Sequence, residues 1–313
     1  MMQNENRQEA GPGTAWLVVN GFLHSQKFDE IFAWLIQAAK RQGWSLELKT
    51  NTGLLPEFVL GEPFCGQRMR LPRFVIFWDK DVRLARLLEK AGLRLFNCAD
   101  SIEVCDDKAR TFLELAHCGI RMPKTILGPK TFRPEGYADL AFLTDIEQKL
   151  GYPMILKECY GSFGQQVYLV RDRMETEACL RRIRNRPCLF QEYIQTSKGQ
   201  DIRIQMVGER AVAAMHRYNP DDFRANITNG GKMEAYEPTA GQLEIARSVM
   251  RELHLDFAGI DILFGEKEEP VLCEVNSNAH FVNIYQCTGV NAADDIMRHC
   301  ISASRKGNDI PGR

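Results

Sequence analysis

The residues best suited to chemistry stand at the ends of apolar strands. Glu274-Val275-Asn276 follows the run Val271-Leu272-Cys273. A strand sends residues i and i+2 to one face, so the Glu274 carboxylate and the Asn276 amide oxygen converge, and such donors suit a hard cation like Mg²⁺. The same composition would serve a solvated strand entering a turn, since Asn and Ser are turn formers. Asp261 is the only charge in "AGIDILF", residues 258–264, and a carboxylate in apolar surroundings requires a cation or a hydrogen-bond network. A hairpin over Gly265-Glu266-Lys267 would set Asp261 opposite Glu274. A divalent cation between the two would remove their repulsion.

Lys157 closes the apolar stretch "YPMILK". An unpaired ammonium there is costly or loses its proton, and Glu158 or another carboxylate could serve as a structural partner. "GSFGQQV", residues 161–167, comes next. Gly161 and Gly164 around Ser162 would let backbone N–H groups approach an anion. Asp201 and Arg203 share one face of a strand, and the plain reading is an exposed ion pair on an edge strand, worth little to stability. "FRANITNGG", residues 223–231, sets Arg224 and Asn226 before a glycine turn and, alone, is an ordinary polar loop.

These side chains need elements to hold them. Ala15–Val19 reads as a buried parallel strand. Phe28, Ile31, Phe32, Leu35, Ile36 and Ala39 recur at helical spacing and Gly43 supplies a stop. Trp44–Leu48 alternates as a second strand, Phe74–Trp78 is a third, Val82–Lys90 a helix and Leu93–Phe96 a fourth strand. This rhythm predicts a small doubly wound α/β domain at 14–104. It carries no G-x-G-x-x-G, which gives no support to a dinucleotide role. A helix at about 107–118 follows, closed by Gly119 and Pro123. The texture then changes to α+β: hairpins from Ile202–Val207 to Ala211–Tyr218 and from Phe257–Phe264 to Pro270–Val275, with a helix at 242–253. Residues 1–13 read as a disordered leader and 304–313 as a frayed tail.

Forty basic residues against 41 acidic ones give a net charge of −1, so nothing draws the whole chain to nucleic acid or an anionic membrane. No apolar run approaches the roughly 18 residues of a membrane span. Ten cysteines are scattered without C-x-x-C spacing; with no secretory signal this reads as reduced thiols in a cytoplasmic protein.

Taken in order, Asp107-Lys108, the Lys157 strand with its glycine turn, "QEYI", "DIR", "FRANI", "AGIDIL" and "EVN" resemble the ATP-grasp superfamily, and within it the RimK-like ribosomal-protein-S6 glutamate ligases. The resemblance covers about Cys105 to Asn291. It implies that nucleotide is clamped between two α+β subdomains, about 105–190 and 191–303. Lys108 and Lys157 would contact ATP phosphates and the adenine side, with the turn Gly161-Ser162-Phe163-Gly164 as a lid. Gln191, Glu192, Tyr193 and Ile194 would hold the adenine edge through their backbone, with Glu192 and Asp201 near the ribose and the site mouth. Asp261, Glu274 and Asn276 would hold Mg²⁺, with Mn²⁺ as an alternative ion. Arg203, Arg224 and Asn226 would neutralise the transferred phosphoryl group and the substrate carboxylate, and Arg217 is a further anion contact.

The implied reaction is ATP-dependent joining of a carboxylate to an amine through an acyl phosphate. Amino acids or peptides, glutamate first, would be the substrates. Related enzymes often self-associate, which leaves a homo-oligomer open. One departure stands out: where glutamate ligases of this group continue "EVN" into a small-Pro-Gly turn, this chain has Ser277-Asn278-Ala279-His280-Phe281. His280 could orient substrate or relay a proton, or pack structurally beside Phe281. A non-catalytic ATP-binding module and a kinase-like phosphotransferase are the rival readings.

Overall fold

The computed structural model describes residues 13–55, 57–59, 62–64, 71–227 and 230–305. The expected leader thus lies outside the described residues except for Gly13, and the expected tail does so beyond Arg305. Ser304 and Arg305 do not fray: they finish the helix Ala292–Arg305. That helix buries Ala293, Ile296, Met297, Cys300 and Ile301 in one core with the N-terminal helix Gln26–Arg41, which holds its last turn in place.

The first sheet is parallel, in the order Ser45–Thr50, Thr14–Val19, Val75–Trp78, Leu95–Phe96. Its central strand alternates across two cores. Ala15, Leu17 and Val19 pack toward Gln26–Arg41, while Trp16 and Val18 pack toward the helices Val82–Lys90 and Ala99–Asp106. A strand apolar on both faces is what a doubly wound sheet requires. The helix expected at 107–118 is shorter, Lys108–Glu114, and follows Ala99–Asp106, which the spacing did not reveal. Asp107 divides them by accepting from Ala109 N and Arg110 N as an N-cap.

The second sheet is antiparallel, in the order Thr125–Leu127, Cys188–Glu192, Met154–Glu158, Val167–Val170. The third has five antiparallel strands: Lys232–Ala235, Arg210–Tyr218, Gln200–Val207, Phe257–Phe264, Pro270–Asn276. Both expected hairpins are there. Ile202, Ile204, Ile260 and Ile262 lie under the helix Ala240–Glu252 with Ala246, Val249 and Met250. The opposite face of this sheet carries the charges. At one end of that face Phe257 stacks on Trp78, ring centroids 5.3 Å apart, which docks the sheet on the N-terminal domain. Among the described residues no helix is long and apolar enough to cross a membrane, and Cys98, Cys105, Cys118, Cys159, Cys179, Cys188, Cys273, Cys287 and Cys300 are free thiols.

Candidate active site

Strand register gathers the charges of the third sheet. Asp201 is opposite Arg217, Arg203 opposite Asp261, and Asp261 opposite Glu274, across four adjacent strands. Arg217 donates to both oxygens of Asp201 at 2.6 and 2.7 Å and Arg203 to both oxygens of Asp261 at 2.7 and 2.6 Å. Arg217 Nη2 also lies 3.0 Å from Asp261 Oδ2. The edge-strand reading of Asp201 and Arg203 is therefore corrected. Gln200–Val207 is the central strand, and each residue pairs across strands rather than along its own. Two carboxylates and two guanidinium groups balance to zero, which is how the buried Asp201, Arg217 and Asp261 coexist with the partly buried Arg203. Burial alone would raise the Asp261 carboxyl, but Arg203 and Arg217 hold it below the ordinary carboxylate value.

A bulge decides which way Glu274 points. The register steps from Asp261–Glu274 to Ile262–Leu272, leaving Cys273 as the extra residue. Leu272 faces the core, and strict alternation would send Glu274 there too; the bulge turns it to the charged face. Glu274 Oε1 lies 3.4 Å from Lys108 Nζ. The Asn276 Nδ2 atom is buried without a hydrogen-bond partner, a donor left for an acceptor such as a phosphate oxygen, while Oδ1 is the atom a cation would take. Among the described residues no three His, Cys, Asp or Glu form a closed metal cage. Two carboxylates, one already neutralised by arginine, and one amide fit the open arrangement of Mg²⁺, which takes one or two carboxylates and completes its shell with water and phosphate.

The glycine turn closes over this face. Lys108 Nζ donates to Gly161 O at 3.0 Å and Arg224 Nη1 to Gly164 O at 2.8 Å. A side chain on Gly164 would meet Asn226 Oδ1 at 2.5 Å, so glycine permits the approach of Arg224 and Asn226. Phe163 at the tip has φ +59°, while Ser162 is exposed. Arg224 is held by Asp222 through Nε and Nη2, at 3.0 and 2.8 Å, a partner sequence reasoning missed although it stands two residues away.

Lys157 is 8% exposed and its ammonium makes no hydrogen bond or ion pair among the described residues. Glu158 is not its partner: it lies on the other strand face, 2.9 Å from Arg186 and accepting from Tyr168 OH at 2.7 Å. The Lys157 charge acts instead on Cys273, whose thiol burial pushes up to about 11 and Lys157 pulls down. Lys157 thus lies within electrostatic reach of Cys273, the extra residue of the bulge.

The remaining expected residues divide. Gln191 is buried and donates to Thr125 Oγ1 at 2.9 Å, and Glu192 Oε1 accepts from Lys124 N at 2.8 Å, so both side chains serve their own sheet. The chain leaves that sheet at Tyr193 and Ile194, whose N–H groups make no hydrogen bond among the described residues. His280 is turned to the N-terminal helix. Its Nε2 lies 3.1 Å from Lys27 O, its ring meets Phe28 edge-on at 6.0 Å, and burial lowers its pKa. An imidazole donating to a carbonyl is a docking contact; the ring makes no hydrogen bond to the charged cluster, although the Arg203 charge acts on it.

A family profile described as the RimK-like ATP-grasp domain matches residues 105–300, and the chain belongs to that family. Human N-acetylaspartylglutamate synthase A is 34% identical over 75% of this chain, which spans 59% of that enzyme. The ribosomal protein bS6–L-glutamate ligase of Escherichia fergusonii is 34% identical over 68% of this chain and 69% of its own length. The solved ATP-grasp ligase PsnB, bound to a precursor variant, Mg and ADP, superposes with a TM-score of 0.66 at 15% identity, over 94% of this chain and 99% of that one; it shows the fold. The protein is an ATP-dependent enzyme of the carboxylate–amine ligase kind.

Proposed function

We propose that the protein uses ATP and Mg²⁺ to join an amino acid, glutamate being the first candidate, in amide linkage to an amino acid, peptide or protein. The observation that carries this reading is the Asp261–Glu274 register pair with Asn276 beside it, beneath a glycine turn tied down by Lys108 and Arg224. Lys108 and Lys157 bind the phosphates, and the free N–H groups of Tyr193 and Ile194 receive the adenine edge. Gln191 and Glu192 act by shaping that strand end, and Asp201 by holding Arg217.

Asp261, Glu274 and Asn276 hold the cation, Mg²⁺ or Mn²⁺, which neutralises β- and γ-phosphate charge when bound. Arg203, Arg224 and Asn226 orient the acceptor carboxylate for transfer and neutralise the charge that develops there. The turn over Ser162 and Phe163 excludes water from the acyl phosphate until the amine arrives. His280 and Asn278 form a substrate wall joined to the N-terminal domain. The free thiols support a reducing compartment, the cytoplasm.

The deciding experiment is an ADP-release screen over pairs of amino acids and short acidic peptides, with mass spectrometry of the products. Release that needs both a carboxylate and an amine supports the ligase. Turnover with one acceptor, or none, sinks it in favour of a phosphotransferase or a binding module.

A further inference from the structure

The carboxyl ends of the N-terminal sheet's strands carry a chemistry that the ATP site does not use. The chain runs from Thr14–Val19 to one neighbour, Ser45–Thr50, and then returns to the other, Val75–Trp78. The point between Thr14–Val19 and Val75–Trp78 is therefore the topological switch, where open α/β sheets bind ligands beyond the carboxyl ends of the strands. The residues that step out there are Asn20 and Asp79. Asn20 Nδ2 lies 3.2 and 3.4 Å from the Asp79 oxygens, and Lys80 N donates to Asp79 Oδ1 at 2.7 Å. Asp79 is 8% exposed and pairs with no Lys, Arg or His among the described residues; the neighbouring Lys80 binds Asp106 instead.

A third residue comes from the turn that follows the strand proposed to hold the metal. Asn278 Nδ2 donates to Asp79 O at 2.8 Å, while Asn278 Oδ1 is buried without a partner. This is the segment in which the chain departs from the glutamate ligases it resembles. A buried carboxylate lacking a cation, beside an unpartnered amide oxygen, is a pair of acceptors, and an ammonium group supplies three donors. Burial raises the Asp79 carboxyl more than its hydrogen bonds lower it, and an ammonium would reverse that. Asn278 is two residues from Asn276, a reach of at most about 7 Å, so a group held here adjoins the phosphoryl site.

We propose that the amine substrate is recognised by its ammonium at this switch point, by Asp79 with Asn20 and Asn278. The inference rests on the ligase reading and deepens it: one end of the site activates a carboxylate, the other selects the nitrogen. An ammonium anchored here sets the selectivity for amino acids over neutral nucleophiles, and it passes one proton to the Asp79 carboxylate before the nitrogen attacks the acyl phosphate.

The test uses the full chain, an amine panel headed by L-glutamate, and hydroxylamine, which is uncharged at neutral pH and traps an acyl phosphate as its hydroxamate. In Asp79→Asn the KM for the amine substrate should rise about thirtyfold, the weight of one charge-assisted contact. The KM values for ATP and carboxylate, and the rate of hydroxamate formation, should stay at wild-type level. Asn278→Ser should shift the same KM alone by about tenfold, and stands in if Asp79→Asn does not fold. An unchanged amine KM, or an equal loss in all substrates and in hydroxamate, overturns the proposal. If wild-type protein makes neither product nor hydroxamate with any carboxylate, the ligase reading itself has failed.

Discussion

Arg217 Nη2 lies 3.0 Å from Asp261 Oδ2, and each side chain is 4% exposed. Asp261 is thus the shared anion of Arg203 and Arg217 as well as a proposed metal ligand. Were Asp261 a metal ligand alone, Asp261→Asn would leave the fold intact. With two guanidinium groups depending on the carboxylate, its loss leaves buried charge uncompensated, which typically costs about 3–5 kcal/mol. Asp261→Asn should lower the urea midpoint clearly as well as abolish turnover; an unchanged midpoint would show that the arginines are satisfied elsewhere.

Glu274→Gln should behave oppositely. Its side chain is 31% exposed with a single 3.4 Å contact to Lys108, and such pairs are worth roughly 0–1 kcal/mol. Stability should therefore hold, while turnover at saturating ATP and magnesium falls by about a hundredfold or more, as for loss of one preorganised electrostatic contact. Near-full activity would remove Glu274 from the metal set.

For Lys157→Ala the expected loss is in nucleotide affinity. The ammonium is buried without an ion pair among the described residues, so its removal should leave stability unchanged or slightly raised. Titration calorimetry with ATP and chemical denaturation separate the outcomes. Unaltered ATP affinity together with a destabilised fold would make Lys157 a structural cation.

Much of this was legible in the chain because period and charge agree. Isolated charges in apolar strands, Lys157 and Asp261, pointed to the face now proposed as the site, and the alternation of Thr14–Val19 marked the doubly wound sheet. Three things were not legible. The bulge at Cys273 reverses alternation between Leu272 and Glu274, and nothing in "VLCEVN" announces it. The pairing of Asp201 with Arg217 depends on which strands are neighbours, a tertiary fact that hid the central position of Gln200–Val207. The helix Ala292–Arg305 ends among polar residues that resemble a tail, and its order comes from packing on Gln26–Arg41.

His280 gives the fold a measurable pH dependence. Its folded pKa is depressed, by burial first, below the value of about 6.5 expected when unfolded. On acidification the unfolded chain binds the proton first, so stability falls with pH. The contribution is intact above about 6.5 and is lost as pH drops through that value toward the folded one. Thermal unfolding from pH 8 to 5.5 should show this slope in the wild type and a reduced slope in His280→Gln. Equal slopes would mean that the imidazole titrates freely.

The last prediction separates two steps of catalysis. Arg224 binds Asp222 and the lid carbonyl of Gly164, whereas His280 faces Lys27 and Phe28 on the N-terminal helix. On the proposed reading one residue serves the phosphoryl end and the other the wall shared with the N-terminal domain. Positional isotope exchange in ATP, with carboxylate present and amine absent, reads only reversible acyl-phosphate formation. Arg224→Ala should suppress that exchange by about a hundredfold with every carboxylate tested. His280→Ala should leave exchange and ATP affinity near wild type and alter only the later amine step, through the wall that carries Asn278. If His280→Ala abolishes exchange as fully as Arg224→Ala does, the histidine acts at the phosphoryl step, and its contact with Lys27 is not its working position.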